Sequence, residues 1–303
     1  MAAPYVHESV LLEESARLLG PCRRVLDGTA GSGGHALRLV GSGAQVLAID
    51  RDPAAVAAAR GRLGAHAEVR QLDFAEAARD PGVRAFAPDG VLLDLGVSSP
   101  QLDDPERGFT FRQGAALDMR MTPGEGPGAA EWLNGASLPD LTEAFREFGD
   151  EPRARSLARE IVRRRSRRSF AVSDDLVGAV RAVLGPQSGP ADFARLFQAV
   201  RIAVNGELER LQRALPALLD LLGPGGVIAV ISYHSGEDRV VKHAFREWSR
   251  SCVCPPEQPV CTCRGRPLGQ LLTRHPIEPA PAEIARNPRA RSAHLRGFRK
   301  AAA

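Results

Sequence analysis

The segment Asp27-Gly-Thr-Ala-Gly31-Ser-Gly33-Gly34-His35 constrains the fold more than any other stretch of the chain. It joins a short apolar run, Arg24–Asp27, to an amphipathic run that begins near His35. Clustered glycines permit positive φ and let the backbone approach a ligand closely. The pattern then repeats. Gln45–Asp50 reads as a second strand, Pro53 opens an Ala-rich helix to about Leu63, and Ala67–Leu72 and Gly90–Leu95 read as a third and fourth strand. Proline suits the first turn of a helix, where its missing N–H would be unpaired anyway. Strands alternating with helices imply an α/β domain with a parallel sheet.

That alternation stops at Ser98. Residues 98–128 are rich in Gly, Pro and charge and show little periodicity, and long loops in compact domains are usually functional. From Ala129 to about Ala199 the patterns are helical only, at Leu138–Phe148, Arg153–Arg168 and Ser173–Leu184. Phe197–Leu222 reads as one long helix. A strand returns at Gly226–Ser232, and a helix follows over Glu237–Trp248. Residues 255–288 are Pro-rich, with candidate strands at Leu268–Thr273 and Ala293–Phe298. The returning strand favours one α/β domain, residues 1–106 and 199–303, interrupted by an all-helical insertion at 107–198, over two consecutive domains.

The glycine loop narrows the choice of ligand. A dinucleotide site calls for G-x-G-x-x-G, but position 36 is Ala. A phosphate-binding P-loop is excluded because no Lys-Ser/Thr follows. What remains is Asp27 four residues before Gly31, then Gly33 and Gly34. This D-x-x-x-G-x-G form resembles motif I of class I S-adenosylmethionine-dependent methyltransferases, a Rossmann-like fold. There the acid faces the methionyl ammonium, and the glycines make room for amino acid and ribose. Asp50 ends the second strand and can accept both ribose hydroxyls. Asp73-Phe74 follows the third strand, where an acid can hold the adenine amine and a ring can pack on its face. Asp and Gly are also ordinary turn residues. An NAD(P)-dependent oxidoreductase therefore stays as a second reading.

Asp94-Leu-Gly-Val-Ser98-Ser99-Pro100-Gln101 leaves the carboxyl end of the fourth strand, where open α/β sheets bind ligands. Enzymes that methylate exocyclic amines hold a D/N/S-P-P-Y/F motif there, and Ser99-Pro100-Gln101 is a shortened relative of it. The amine of cytosine is conjugated with its ring and is a poor nucleophile. Hydrogen-bond acceptors can favour a pyramidal nitrogen whose lone pair faces the donor methyl, and in-line positioning supplies much of the remainder. Asp94, Ser99, Pro100 and Gln101 are the candidate catalytic set, against the plainer reading of a Ser-Pro turn. His234, after the fifth strand, is either a structural residue at a helix N-cap or a contact to the target base. Asp118 and Arg120 either hold substrate or pin the long loop.

Charge adds a partner class. Among 40 basic residues only Lys242 and Lys300 are Lys, and the formal charge is +4. Residues 150–170 carry +5 and residues 264–300 carry +7, which leaves −8 for the rest. Arg163, Arg164, Arg165, Arg167 and Arg168 circle a helix rather than line one stripe, and with Arg289 and Arg291 they are candidate RNA phosphate contacts. A charge run can equally be a solvated helix face. No apolar run approaches the roughly 20 residues of a membrane helix, and the N-terminus lacks the basic region of a signal peptide. A cytoplasmic protein is expected. Cys252-x-Cys254 and Cys261-x-Cys263 are either a zinc site or unligated thiols in a reducing compartment. Cys22 reads as a small buried apolar residue.

Blocks along almost the whole chain resemble the ribosomal RNA small subunit methyltransferase H (MraW) family. They include His7–Glu13, Asp27–His35, Ala48–Pro53, Leu92–Asp103, Arg107–Phe111, Leu117–Met121, Phe197–Ile202 with Val204-Asn205, Val230–Ser235 with Glu237–Arg239, and Asn287–Ser292. The resemblance implies N4-methylation of the 1402 cytidine of 16S rRNA, within an assembled 30S subunit, with S-adenosyl-L-methionine as donor. It implies cofactor contacts at Gly33, Gly34, His35, Asp50, Phe74, Asp94 and Gln101. Asp27 and Gly31 join them from the motif itself. A homodimer is compatible with this reading, and a third alternative is a non-catalytic rRNA-binding assembly factor on the same fold.

Overall fold

The computed structural model of the chain describes residues 9–255, 258, 260 and 262–302, with the backbone alone at Ser99 and Pro100. Of the residues singled out above, His7, Glu8 and Cys261 lie outside the described residues. The chain divides into two compact units, Met1–Gly96 with Glu209–Ala303, and Val97–Leu208.

The first unit holds one sheet. Its strands are β1 (Arg24–Asp27), β2 (Gln45–Asp50), β3 (Glu68–Gln71), β4 (Gly90–Asp94), β5 (Val227–Ser232), β6 (Gly269–Leu271) and β7 (His294–Lys300), in the order β3-β2-β1-β4-β5-β7-β6. The first five run parallel, while β7 is antiparallel to both β5 and β6. Successive side chains on a strand face opposite ways, and the core follows that rule. Val25, Val46, Ala48, Leu92, Ala229 and Ile231 pack on one face with helices α1 (Leu12–Leu19), α2 (Gly34–Gly41) and α3 (Pro53–Leu63). Leu26, Leu47, Ile49, Leu93, Ile228 and Val230 face the other way, toward the apolar sides of α11 (Glu207–Leu221) and α12 (Ser235–Trp248). All six residues of β5 are buried, which explains its unbroken apolar run: a parallel strand covered on both faces has no polar side to show. Short helices α4 (Pro81–Phe86) and α13 (Pro281–Arg286) complete the unit.

The second unit is built of helices. These are α5 (Ser99–Asp103), α6 (Ala129–Gly135), α7 (Leu138–Glu143), α8 (Ala154–Arg165), α9 (Ser173–Leu184) and α10 (Pro190–Asn205). Its core includes Phe145, Leu157, Ile161, Leu176, Val180, Leu196 and Val200. Phe111, from the long loop, stands edge-on to Phe193 and Phe197 at 5.9 and 6.0 Å. The loop is not featureless, since it forms α5 and a 3-10 turn at Pro105–Arg107.

The long helix expected over Phe197–Leu222 is two helices. α10 ends at Asn205, and Gly206 takes the left-handed conformation at φ 57 before α11 starts at Glu207. Glycine adopts that conformation without the steric cost a Cβ brings. Apolar spacing continues across the break, so periodicity cannot detect it. Arg107 and Asn205 hold the long loop down. Asn205 Nδ2 donates to the carbonyl of Met119 at 2.7 Å, and Asn205 Oδ1 accepts from the amide of Met121 at 2.9 Å. Asp118 and Arg120 pair with each other at 2.6 Å. Partial burial opposes ionisation of Asp118, but the hydrogen bonds and charge of Arg120 hold its carboxyl below the usual range. The pair therefore pins the loop on itself.

Candidate active site at the carboxyl ends of the parallel strands

The strand order reverses between β1 and β4, and ligands of open α/β sheets bind outside the carboxyl ends at such a switch point. Asp27, Asp50 and Asp94 are the last residues of β1, β2 and β4, and Tyr233 follows the last residue of β5. Parallel register puts all four at one edge of the sheet.

Asp27 is 1% exposed. Its Oδ1 accepts from the Thr29 amide at 3.2 Å, while its Oδ2 is buried without a hydrogen-bond partner. Burial raises this carboxyl to about 6, against the lowering pull of His35 and the Thr29 amide. A buried, half-satisfied carboxylate is costly unless something cationic answers it. Asp50 is saturated differently. Its Oδ2 accepts from the Gly31 amide and its Oδ1 from the Asp52 amide, each at 2.9 Å. Burial pushes its pKa up, opposed by those two amides. The carboxylate thus ties the glycine loop to the end of β2, and each oxygen keeps a further lone pair for a hydroxyl.

The glycines divide their labour. Gly31 and Gly33 have φ of 52 and 79, which is why the loop needs glycine there. Expected room for a ligand is not what fixes Gly34: a Cβ on it would stand 2.0 Å from Ser9 Oγ. At Gly33 a Cβ would meet Leu63 and Ala59 at 3.2 and 3.4 Å. Packing inside the protein sets Gly34, whereas at Gly33 the positive φ adds to a tight fit.

Asp94 sits at the centre of a hydrogen-bonded chain. Its amide donates to Thr29 Oγ1 at 2.6 Å, and its Oδ1 accepts from the Tyr233 hydroxyl at 2.8 Å. Its Oδ2 lies 3.4 Å from His35 Nε2, an ion-pair distance rather than an aligned hydrogen bond. Ser15 Oγ donates to the Leu11 carbonyl at 2.9 Å and lies 3.2 Å from His35 Nδ1. With its one proton engaged, the Ser15 oxygen accepts from Nδ1–H. Nε2 then faces a carboxylate and favours a proton as well. Burial opposes the charged imidazole, but the Asp94 contact and the Asp94 and Asp27 charges raise its pKa overall. The Tyr233 pKa rises well above its usual value, through burial and the Asp94 carboxylate. Its hydroxyl therefore stays a donor.

Other residues have more local duties. Asp73 caps the Ala75 amide at 2.9 Å and pairs with Arg210 and, at 3.9 Å, with Arg51. Phe74 is partly buried against the same core face as Leu93. Gln101 is buried, and its Oε1 accepts from the Ser98 amide at 2.9 Å. Ser99 and Pro100 open α5. His234 is the N-cap of α12, its Nδ1 accepting from the Glu237 amide at 3.3 Å. That is the N-cap geometry; its Nε2 is buried without a hydrogen-bond partner, 3.3 Å from Glu237 Oε1.

The arginines separate as well. Arg163, Arg167, Arg168, Arg289 and Arg291 are exposed. Arg163 and Arg164 both pair with Glu160, at 2.6 and 2.7 Å, and hold its carboxyl down at about 2 despite some desolvation. Arg165 is half-buried and donates to the carbonyls of Leu133 and Ala136 at 2.8 and 2.7 Å. It satisfies the end of α6, a structural duty that its sequence context does not reveal.

Tyr233, Ser15 and Thr29 were not expected at the site. Tyr233 had a signal, since it directly follows the fifth strand at the ligand-binding edge. Ser15 had none, because it lies on α1 and meets His35 only through the packing of α1 on α2.

A sheet in the order 3-2-1-4-5-7-6, with an antiparallel seventh strand and acids at the ends of β1, β2 and β4, defines a class I methyltransferase. The chain belongs to the MraW methylase family, whose model matches residues 4–301. It is 57% identical over 300 residues to ribosomal RNA small subunit methyltransferase H of Gemmatimonas aurantiaca, covering 97% of this chain and 95% of that protein. It is 45% identical over 303 residues to the protein of the same name from Myxococcus xanthus, covering 99% of each. The corresponding protein of Rubrobacter xylanophilus is 47% identical over 308 residues, covering 97% of this chain and 96% of that one. The reaction is methyl transfer from S-adenosyl-L-methionine, and the nicotinamide reading falls away. The unanswered Asp27 oxygen and the Asp50 carboxylate suit the ammonium and ribose of that cofactor.

Proposed function

We propose that this protein methylates N4 of cytidine 1402 in 16S rRNA, acting on the 30S subunit in the cytoplasm. The full-length likeness to relatives named for small-subunit rRNA methylation supports the substrate. The observation that carries the chemistry is the Asp94 carboxylate, held between the Tyr233 hydroxyl and His35 at the carboxyl end of β4.

Bound S-adenosyl-L-methionine supplies an electrophilic methyl on a sulfonium. Asp27 would hold the ammonium end with its spare oxygen, Asp50 would take the ribose hydroxyls while fixing Gly31, and Phe74 would pack on the adenine. Gly33, Gly34 and His35 position the loop and Asp94. Asp94 accepts a hydrogen bond from the target amine and turns its lone pair toward the donor. Positioning of this kind can supply much of a displacement barrier. Once alkylated the nitrogen is acidic, so a carboxylate or water suffices to take its proton. The helical insertion at 107–198 presents Arg163, Arg164, Arg167 and Arg168 to rRNA phosphates, and Arg289 and Arg291 add a second patch.

Transfer of a tritiated methyl group to 30S subunits lacking the mark tests this. Label at cytidine N4 is expected. Cofactor binding with no label transferred would instead favour an assembly factor that keeps the fold.

A further inference from the structure

Among the described residues, the segment between α12 and β6 contributes nothing to the hydrophobic core. From Ser249 to Leu268 no described residue is buried, and Val260 is 68% exposed. It is nonetheless tied at both ends. The Leu268 amide donates to the Trp248 carbonyl at 2.7 Å, and Arg264 Nη2 donates to the carbonyls of Glu247 and Arg250 at 2.5 and 3.3 Å. Inside this frame the Sγ atoms of Cys252, Cys254 and Cys263 all lie within 4.8 Å of one another.

The spacing excludes a disulfide between Cys252 and Cys263 and fits thiolates that share a metal ion. Cys263 Sγ lies 3.8 Å from Cys252 Sγ, far beyond the roughly 2.05 Å of a disulfide. Thiolates on a tetrahedral zinc ion, each about 2.3 Å from the metal, stand about 3.8 Å apart. The Val253 amide also donates to Cys263 Sγ at 3.4 Å. An N–H donor aimed at sulfur stabilises a thiolate, the form that binds metal. A short chain excursion without buried apolar area is also where a metal staple contributes most to folding. The geometry points to a structural zinc site held by Cys252, Cys254 and Cys263. Binding releases the thiol protons and ties Cys252 and Cys254 to Cys263 beside the end of α12. Nothing in the methyl-transfer reading requires this ion, so the two stand or fall separately.

The test uses the full chain, purified without chelator. Elemental analysis is expected to give about one zinc per chain. Stripping the metal should expose the three thiols to maleimide, and added zinc should protect them again. Cobalt(II) titrated into stripped protein should give an intense sulfur-to-cobalt charge-transfer band that saturates at one equivalent. Cys252→Ser, Cys254→Ser and Cys263→Ser should each abolish tight binding, whereas Cys22→Ser should not. Cys22 is elsewhere, its thiol donating to the Asp89 carbonyl at 3.4 Å. The cobalt titration needs no variant, so it decides the matter even if a serine variant fails to fold. No zinc together with no charge-transfer band would overturn the site. So would recovery of two of these cysteines as a disulfide from protein kept under reducing conditions until analysis.

Discussion

The Tyr233 hydroxyl donates to Asp94 Oδ1 at 2.8 Å, joining the residue after β5 to the last residue of β4. Parallel pairing of Asp94 with Ile231 brings the two strand ends level. One donor therefore fixes the rotamer of the carboxylate that we assign to the target amine. Tyr233→Phe removes the donor and keeps the ring. We expect kcat to fall about tenfold or more, near 1.4 kcal/mol, with cofactor affinity within about twofold. Single-turnover methyl transfer and calorimetry separate the two quantities. An unchanged kcat would remove Tyr233 from the positioning of Asp94.

The role proposed for Asp27 makes cofactor binding depend on pH. Its pKa lies near 6 in the folded chain, raised from 3.8 chiefly by burial. A carboxyl raised in this way binds more protons folded than unfolded. The fold therefore loses stability as pH rises between those values, by roughly 3 kcal/mol in all. Asp27→Asn should raise the melting temperature of the cofactor-free protein at about pH 8 and have little effect near pH 4. The opposite holds for ligand. S-adenosyl-L-homocysteine, which keeps the ammonium, should bind more weakly below about pH 6, and the Asn variant should lose that dependence. A flat affinity profile would place the ammonium elsewhere.

Asp50→Ala takes away two amide partners and the proposed ribose acceptor together. Cofactor affinity should drop about tenfold to a hundredfold. Equal affinity in wild type and variant would show that the ribose site has been misplaced.

Asn205 tests the anchoring of the long loop rather than chemistry. It is buried and bonds Met119, Met121 and Arg201. Asn205→Ala leaves those backbone groups unanswered and should cost about 2–4 kcal/mol in urea unfolding. A cost within experimental noise would mean that Arg107 and the loop's other contacts hold it without Asn205.

Arg167 and Arg168 are exposed, and Arg168 pairs with Asp175 at 3.6 Å. Replacing both with Ala should lower the slope of log affinity for 30S subunits against log salt by about 1.4 to 1.8. Arg165→Ala should instead destabilise the fold, because its partners are carbonyls of the protein. An unaltered slope in the double variant would move the rRNA contact off this helix.

Much of the fold was legible because it rests on local rules. The strand–glycine–helix punctuation, Pro53 at a helix start and the unbroken apolar run of β5 each reflect one element and its covering. The acids at strand ends were legible too, since parallel strands must bring their carboxyl ends to one edge. The break at Gly206 was not, because the apolar spacing of α10 and α11 continues in phase across it. Nor was the fate of Arg165, which depends on carbonyls some thirty residues away.

The sequence by itself determined the parallel sheet, the glycine loop and the family, all of which follow from short-range pattern and motif spacing. Tertiary structure alone decided which groups answer one another. Ser15, His35, Asp94 and Tyr233 come from α1, α2, β4 and the end of β5. No spacing rule relates them, and only the packing of helices on the sheet brings their hydrogen-bonding atoms together. The same holds for Cys263 against Cys252, whose separation is set by how the chain leaves α12 and enters β6.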